Sequence, residues 1–418
     1  MALLEEFLGE HAALTRRFFL RAGLAGTAAA AFSPLIATSD DAAPELQAAL
    51  AKLESYLTRQ DDFRDVSRGK PIPHTLSDEA KQTAGLTRDT WSLDVVSDPD
   101  HKSDLRTSFS AEKGNAFDFT ALMKLAKDHA VSFAKVMTCN NIGCPLGMGI
   151  WEGVPLRELI WLTQPRGNVR RVFYKGFHND KPEQEFRSSL PIGRVLEDPF
   201  GLPPVILCYK LNGEWLSGQR GGPVRIVVPE AYGFKSVKWL KRLTVTNLSH
   251  ANDTYANGNN DIDSWLKTFA ATLSIPGTVK PATPIPVTGY AQVGISGLKR
   301  VQVWVQNADE EWPGDDRYFQ KAPWRDAEIL GPPQVWGGTS DGTLPGQPLG
   351  FDVDGNPQRW PMRLAKAHWA ILLPGLPAGD YTFRCRTIDD SGQAQPLPRP
   401  FDKSGRNSIE QVSLVVEA

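Results

Sequence analysis

The sequence predicts an α+β domain followed by an all-β sandwich. Between residues 91 and 274, segments with apolar residues at helical spacing are interleaved with segments in which apolar and polar residues alternate. From residue 275 to residue 418 only the alternating pattern recurs, and Gly, Pro and Asp separate its segments. The change coincides with a Pro- and Thr-rich stretch at 275–290, which is typical of a linker or of the beginning of a strand.

Length and composition restrict the class of protein. The 418 residues suit two or three domains, and 41% hydrophobic with 22% charged residues is ordinary for a globular chain. The net charge is −2, and positive and negative residues are mixed along the chain. The chain therefore lacks the excess of basic residues that is typical of nucleic-acid-binding proteins. Beyond residue 40 no stretch reaches the ~18 apolar residues of a membrane-spanning helix. We therefore expect neither a nucleic-acid partner nor a membrane span in the mature chain.

Residues 1–40 predict a targeting segment rather than part of the fold. The run Arg-Arg-Phe-Phe-Leu at 16–20 precedes an Ala- and Gly-rich apolar stretch. This combination resembles the bacterial twin-arginine export signal, which carries proteins that fold, often with a cofactor, before they cross the membrane. We predict a periplasmic protein; the alternative is an ordinary amphipathic helix.

The next segment, 41–90, joins this signal to the first domain. Leucines at helical spacing predict a helix over 41–60. Residues 62–90 are polar and contain prolines, which predicts an irregular wrapping segment. Arg64 and Arg68 lie in it and could fold back onto an active site.

Local patterns then predict each element in turn. In the domain at 91–274 we expect strands at 91–96, 131–138, 169–176, 223–229 and 237–247, helices at 117–130, 155–163 and 189–197, and a hairpin at 204–216. Asn212-Gly213 suits the tight turn of that hairpin. In the sandwich at 275–418 we expect strands at 299–305, 380–388 and 408–417.

Cys139 follows a predicted strand and begins a stretch rich in Asn, Gly and Pro, which we expect to form a loop. A cysteine in such a place can be a nucleophile, a metal ligand, a disulfide partner of Cys144, or inert packing. No C-x-x-C or H-E-x-x-H motif supports a zinc site. Cys208 and Cys385 lie in alternating runs, which indicates buried strand residues.

Residues 217–245 combine glycines with positive charge. Gly221-Gly222 and Gly233 allow close approach of the backbone to a ligand. Backbone N–H groups and cations near such turns favour anions such as phosphate. The alternative is solvated charge at strand ends. The cations are Arg220, Arg225, Lys235 and Lys238.

Taken in order, these motifs resemble the sulfite oxidase family of molybdopterin enzymes. The motifs are Cys139 after a strand and then GVPLREL, LPIGRVLEDP, LCYKLNGEWL, GGPVRIVVP and YGFKSVKWL. The resemblance covers roughly 90–418. It implies a sulfite-oxidase-type molybdopterin-binding domain over 91–274 and an immunoglobulin-like dimerisation sandwich over 275–418, and hence a homodimer.

The resemblance also implies roles for single residues. Cys139 matches the cysteine that ligates molybdenum, for which a thiolate is a suitable soft ligand. Tyr255 matches an active-site tyrosine. The residues implied to bind the cofactor, together with Cys139, are Gly176, Arg220, Arg225, Gly233, Phe234 and Lys235.

This sequence differs from the usual sulfite oxidase pattern at a position that bears on the substrate. Sulfite oxidases usually have an arginine shortly after the cysteine, whereas Asn140-Asn141-Ile142 follows here. Basic residues between a predicted strand and helix could supply a replacement anion site, and we take Arg187 as a candidate catalytic residue. An ordinary surface loop is the alternative reading. These basic residues are Lys175, His178 and Arg187.

The implied function is oxygen-atom transfer at a molybdenum–molybdopterin cofactor. We expect oxidation of sulfite or a related small sulfur anion. No C-x-x-C-H motif indicates a covalent haem on this chain, so electrons would pass to an external carrier such as a c-type cytochrome. One alternative is reduction of S- or N-oxides, as in methionine sulfoxide reductase catalytic subunits. An alternative of another class is a cofactor-free exported binding module with a Cys139–Cys144 disulfide.

Overall fold

Strands form most of the regular structure in the computed structural model, which describes residues 43–142, 144–179, 181–396, 403–405 and 407–417. The predicted export segment lies outside the described residues. Short helices accompany the strands: α1 (Pro44–Leu50), α2 (Asp78–Thr83), α3 (Phe119–His129), α4 (Leu156–Leu162) and α5 (Ile192–Leu196). Within the described ranges, no helix is long and apolar enough to cross a membrane.

The first sheet has five strands in the order β2-β1-β10-β5-β6. Its strands are β1 (Ser92–Ser97), β2 (Phe117–Asp118), β5 (Arg171–Gly176), β6 (Arg187–Pro191) and β10 (Leu240–Thr246). β1 and β10 run parallel, and the other pairs are antiparallel. α3 begins directly after β2 because the Asp118 carboxylate accepts a hydrogen bond from the Ala121 N–H at 2.7 Å.

The second sheet contains the strand that leads to Cys139. Its order is β3-β4-β7-β8, and β9 pairs with β7. Its strands are β3 (Val131–Thr138), β4 (Pro145–Pro155), β7 (Ile206–Leu211), β8 (Glu214–Trp215) and β9 (Arg225–Val227). Asn212 and Gly213 have φ values of 53° and 78°, so the predicted tight turn between β7 and β8 is confirmed.

The glycine-rich stretch after Cys139 is mostly strand, and the prediction of a loop there was wrong beyond residue 144. β4 pairs along its length with β3 and then with β7. Its glycines make room for neighbours: a Cβ on Gly149 would overlap the Leu211 side chain, and a Cβ on Gly153 would overlap the Leu207 carbonyl oxygen. The glycines therefore reflect close packing within a sheet rather than loop flexibility.

The third sheet occupies the C-terminal part of the chain. Its eight strands follow the order β11-β13-β16-β15-β14-β17-β18-β12. They are β11 (Phe269–Ser274), β12 (Thr278–Val279), β13 (Ile285–Gln292), β14 (Arg300–Asn307), β15 (Arg325–Ile329), β16 (Lys366–Leu373), β17 (Gly379–Ile388) and β18 (Glu410–Val416).

This sheet folds over so that its two halves enclose one core. Val287 and Trp369 of one half share a buried cluster with Val303 and Phe383 of the other, and the Trp369 and Phe383 rings stack with centroids 6.5 Å apart. β15 joins the halves by pairing with both β14 and β16. An all-β sandwich follows. Its immunoglobulin-like type and the domain boundaries stay predictions.

Several sequence-based boundaries differ from the structure. The helix predicted over 41–60 is shorter in the structure: α1 ends at Leu50, and Leu53 and Leu57 lie beyond it in non-helical backbone. The helix predicted over 189–197 is limited to α5, since its first residues continue β6. The stretch at 275–290 contains β12 and most of β13. Of the two predictions for it, a linker or the beginning of a strand, the second is confirmed. β11, β15 and β16 were not predicted.

The C-terminal part packs directly on the region that carries Cys139. Tyr56, Phe234, Trp336 and Phe351 belong to one buried cluster. Within that cluster the Trp336 ring meets Tyr56 and Phe351 edge to face at 5.7 and 5.2 Å. The α+β part and the sandwich therefore share apolar surface.

Candidate active site

A cleft of about 290 Å³ lies beside the end of β3. One wall is an irregular segment at 63–71, called the strap below. A second part of the lining comes from the glycine turns at 218–239 and from Tyr255. The cleft brings together six of the sequence-predicted site residues: Cys139, Arg220, Arg225, Gly233, Phe234 and Tyr255.

Cys139 lines this cleft and directly follows the last residue of β3. Thr138 is fixed by a 2.5 Å hydrogen bond from its hydroxyl to the Gln292 side chain, and the Asn140 carbonyl accepts from the Gly405 N–H at 3.0 Å. The Cys139 thiol is partly exposed and donates to the Asn141 side-chain oxygen at 2.6 Å. All four cysteines are free thiols, so the structure does not contain the alternative disulfide with Cys144.

Arg225 lies buried beneath the cleft. Its guanidinium donates to the carbonyls of Arg220 and Ser236 at 2.8 and 2.5 Å and packs over the Trp151 ring at 5.2 Å. No carboxylate of the described chain forms an ion pair with it. Burial lowers the pKa of Arg225 to about 10, which is still high enough to keep it charged at neutral pH.

Arg220 has unused hydrogen-bonding capacity. Its side chain is 4% exposed, and neither Nε nor Nη2 has a hydrogen-bond partner in the part of the chain that the structure describes. The closest carboxylate contact is the Asp65 oxygen, 4.0 Å from Nη2. Burial lowers the pKa of Arg220. Since unpaired buried donors cost stability, the site suits an anionic ligand at this guanidinium.

Lys238 adds a third cation next to these arginines. Its ammonium donates to the Ser67 hydroxyl and the Gln219 carbonyl, both at 2.7 Å, and to Asp65 at 3.2 Å. Burial, together with the charge of Arg225, lowers the pKa of Lys238 to about 7. Lys238 and Arg220 therefore share one nearby carboxylate, that of Asp65.

Gly233 and Phe234 line the cleft, but Lys235 turns away from it. The Lys235 ammonium is buried against Asp253, with Nζ 2.7 Å from Oδ2, and also donates to the Ser189 carbonyl at 3.0 Å. The resemblance implied that Lys235 binds the cofactor, but its positive charge is paired with Asp253 instead. Lys238, three residues further on, supplies a cation to the cleft instead.

Gly176, Lys175 and Arg187 are not brought to the cleft lining. Gly176 ends β5, where a Cβ would overlap the Lys238 carbonyl oxygen, so its position is explained by packing. Lys175 pairs with Glu185. Arg187 has a half-exposed side chain with its Nε 3.7 Å from the same carboxylate. Of the candidate anion-binding residues on this side, only His178 lines the cleft.

Tyr255 and Arg68 contact each other in the lining of the cleft. The Arg68 guanidinium donates to the Tyr255 hydroxyl at 3.3 Å and lies over the Phe186 ring at 5.6 Å. Tyr255 packs edge to face on Phe186 and Phe234. His178 is buried nearby, and burial, with a contribution from the charge of Arg68, lowers its pKa. The segment that carries Arg68 therefore folds back onto the cleft, as the sequence allowed.

Other residues of the cleft had no signal in the sequence. Trp151 and Trp239 line it and are buried, but their spacing is that of ordinary strand residues. Asp65 carried no motif. Among the described residues, no group of three or more His, Cys, Asp or Glu could hold a metal ion. A metal bound here through Cys139 would need further ligands from a cofactor.

Residues 83–254 match the family described as "oxidoreductase molybdopterin binding domain". Curated relatives include the mitochondrial sulfite oxidase of Drosophila melanogaster, 29% identical over 43% of this chain and 36% of that protein. The protein-methionine-sulfoxide reductase catalytic subunit of Ralstonia nicotianae is 28% identical over 62% of this chain and 80% of its own. The chain belongs to the sulfite oxidase family of molybdenum-dependent oxidoreductases.

Other similarities are narrower or more distant. The nitrate reductase of Beauveria bassiana is 32% identical over 24% of this chain, and the chain spans about a tenth of the length of the nitrate reductases that it matches. The solved structure of the sulfane dehydrogenase SoxCD from Paracoccus pantotrophus covers 93% of this chain and 96% of its own. Its TM-score is 0.53 at 16% identity, so it shows a shared fold.

The family implies a molybdenum–molybdopterin cofactor, and the residues present fit it. The unpaired Nε and Nη2 of Arg220 are suited to an anionic group such as the pterin phosphate, and Arg225 and Lys238 add positive charge. The free Cys139 thiol, as a thiolate, is a suitable soft ligand for the metal. Family membership also disfavours the cofactor-free binding module.

Proposed function

We propose that this molybdenum-dependent oxidoreductase oxidises sulfite or a closely related small sulfur anion. One observation carries the proposal: a single cleft joins the free Cys139 thiol to positively charged side chains from separate parts of its lining. Of these, Arg64 and Arg68 form no ion pair within the described residues. A small anion entering the cleft would therefore meet positive charge beside the metal ligand.

The cofactor would be held by residues from separate parts of the cleft lining. Cys139 would bind the metal, and Arg220, Arg225 and Lys238 would bind the anionic part of the pterin. Gly233 allows the backbone to approach the ligand closely. When bound, the molybdenum cofactor supplies oxygen-atom transfer and takes up the two electrons that the substrate loses.

The remaining cleft residues would orient the substrate. Arg68 and the Tyr255 hydroxyl, 3.3 Å apart, can bind two oxygens of the same anion. His178 is kept neutral by burial and by the charge of Arg68, so it would serve as a hydrogen-bonding group rather than as a further cation. Phe186 and Phe234 restrict water on this side, which strengthens the remaining electrostatic interactions.

We further propose that electrons leave to an external c-type cytochrome and that the chain works in the periplasm as a homodimer. The Arg-Arg-Phe-Phe-Leu run at 16–20 supports export. The absence of a C-x-x-C-H motif supports a separate electron carrier. The dimer is supported by the resemblance of the C-terminal sandwich to the dimerisation domain of the family.

A second candidate function is reduction of an S- or N-oxide. The aromatic side of the cleft favours it, because Phe186, Phe234 and Tyr255 pack edge to face and could hold the apolar part of a sulfoxide. The chain is also similar to a methionine-sulfoxide reductase catalytic subunit over 62% of its length. Electron direction separates the two functions.

Sulfite-dependent reduction of ferricyanide, normalised to molybdenum content, tests the proposal. We expect turnover in the wild type and its loss in Cys139→Ser, because a hydroxyl is a poor ligand for a soft metal. Cys144→Ser is the matched control and should keep most of the activity. Full molybdenum occupancy without sulfite turnover, together with viologen-driven sulfoxide reduction, would establish the second candidate instead.

A further inference from the structure

Residues 64–68 of the strap present alternate side chains to two different environments. Arg64, Val66 and Arg68 are exposed, whereas Asp65 and Ser67 are partly buried and accept hydrogen bonds from Lys238. This period of two is what an extended backbone produces. The strap therefore has an inner face and an outer face with different chemistry.

The inner face binds the buried cations. Lys238 donates to the Ser67 hydroxyl at 2.7 Å and to Asp65 at 3.2 Å. Ser67 in turn donates to Asp65 from its N–H at 2.9 Å and from its hydroxyl at 2.5 Å. Burial raises the pKa of Asp65, but the bonds from Ser67 and the charge of Lys238 outweigh this and hold that pKa below its ordinary value. Asp65 thus stays ionised and keeps the strap on the cation cluster.

Both ends of the strap are also fixed. At one end the Arg64 N–H donates to the Leu146 carbonyl at 2.8 Å, next to the beginning of β4. At the other end the Lys70 N–H donates to the Gln184 side chain at 3.0 Å, and the Asn179 side chain donates to the Pro71 carbonyl at 2.7 Å. The outer face is therefore held in place before any ligand arrives.

The outer face carries two arginines without a carboxylate partner in the described chain. The Arg64 Nη1 contacts the Cys144 sulfur at 3.5 Å, and the Arg68 Nη1 contacts the Tyr255 hydroxyl at 3.3 Å. Neither contact is to a carboxylate, so neither arginine takes part in an ion pair of the described chain. Val66, 39% exposed, lies between the arginines in sequence.

We propose that Arg64 and Arg68 are the substrate-anion site of this enzyme, presented by the strap and held by Asp65. The inference rests on the proposed function and specifies how the anion is recognised. It assigns to residues before β1 the charge that the loop after Cys139 lacks, since Asn140-Asn141-Ile142 contains no cation. Asp65 joins the strap to Lys238, so the proposed substrate site is in direct contact with a residue that would bind the cofactor.

The test measures anion binding and turnover in the same molybdenum-loaded proteins. Sulfate, an unreactive analogue, is titrated against tryptophan fluorescence, to which Trp151 and Trp239 of the cleft contribute. NaCl at equal ionic strength is the salt control. We expect Arg64→Ala and Arg68→Ala each to weaken sulfate binding roughly tenfold, as loss of one charged hydrogen bond does. KM for sulfite should rise in parallel, with a smaller change in kcat.

Two further variants make the result specific. Arg88→Ala is the matched control, because Arg88 is exposed and lies over Trp215 at 4.8 Å, outside the cleft. It should change neither constant by more than about twofold. Arg68→Lys keeps the charge and should recover part of the affinity for sulfate, whereas a merely structural role of the arginine would give no such recovery.

The outcomes separate this inference from the proposed function. Absence of saturable sulfate binding to the wild type, or binding unchanged in both alanine variants, would overturn the strap as the anion site. Sulfate binding that weakens as expected, in a wild type that does not turn over sulfite, would support the strap and overturn sulfite as substrate.

Discussion

At the residue scale, the cations that line the cleft differ from other buried cations in how they are paired with carboxylates. Lys235 and Asp253 neutralise each other away from the cleft. Arg220 and Lys238, by contrast, share Asp65 as their nearby carboxylate, and Arg225 forms no ion pair within the described chain. A buried cation without a full partner is costly in a folded chain, and such a cost is typical of a binding site.

Arg220→Met provides a test at this scale. Methionine fills a similar length without charge, so we expect molybdenum content to fall roughly tenfold through loss of a charge-assisted contact. The cofactor-free protein should be no less stable to urea, because a poorly paired buried charge has been removed. Metal analysis and urea unfolding measure the two effects.

Arg88→Met is the matched control for that experiment and should retain its molybdenum. If Arg220→Met also bound a full complement of molybdenum, Arg220 would have no part in holding the cofactor.

At the scale of elements, β3 and β4 decide where the chemistry lies. β3 delivers Cys139 to the lining of the cleft, and β4 returns after a short turn to pair with it. Close packing of β4 on β7 is possible because Gly153 has no side chain. Glycine here serves the packing of a strand, which a reading of glycine as a loop residue misses.

Gly153→Ala should therefore destabilise the fold. The new methyl group would overlap the Leu207 carbonyl oxygen, which belongs to the backbone and cannot rotate away. We expect a loss of about 1–3 kcal/mol in the free energy of unfolding, as for overpacked cores. Urea denaturation of the purified protein measures it.

Gly193→Ala is the control, because a methyl group on Gly193 in α5 would meet no atom within 4 Å. Alanine in a helix should leave stability equal or slightly higher. Equal stability of both variants would show that β4 tolerates a side chain at position 153.

At the scale of the whole molecule, the sandwich and the segment that precedes the α+β part are joined by buried contacts that include a histidine. His368 is 2% exposed and packs against Tyr56 with ring centroids 4.3 Å apart. Its Nε2 has no hydrogen-bond partner among the described residues. Burial, and then the charge of Lys366, lower the pKa of His368 to about 3. His368 is therefore neutral in the folded protein at ordinary pH.

This predicts a loss of stability in acid. The pKa of His368 is about 6.5 in the unfolded chain and about 3 in the fold, so between these values the unfolded chain binds the extra proton. The contribution is complete above pH 6.5 and is lost as the pH falls toward 3, by up to about 1.4 kcal/mol per pH unit. His368→Leu should remove roughly 2 kcal/mol of the loss between pH 7 and pH 5.

Urea unfolding at pH 7 and pH 5 measures that difference. The control is His250→Leu, which removes an exposed imidazole. A wild type and a His368→Leu variant with the same loss between the two pH values would contradict a buried neutral His368.

The sequence by itself determined the class of fold, most strands and the ordered motifs that identify the family, because these depend on short-range periodicity and turn chemistry. It also indicated Cys139, Arg220 and Arg225. Only the tertiary structure decided that Lys235 is paired with Asp253 and that Lys238 and the strap arginines reach the cleft. The reason is physical: which charge meets which depends on residues far apart in the chain, such as Asp65 and Lys238, whose proximity no local pattern encodes.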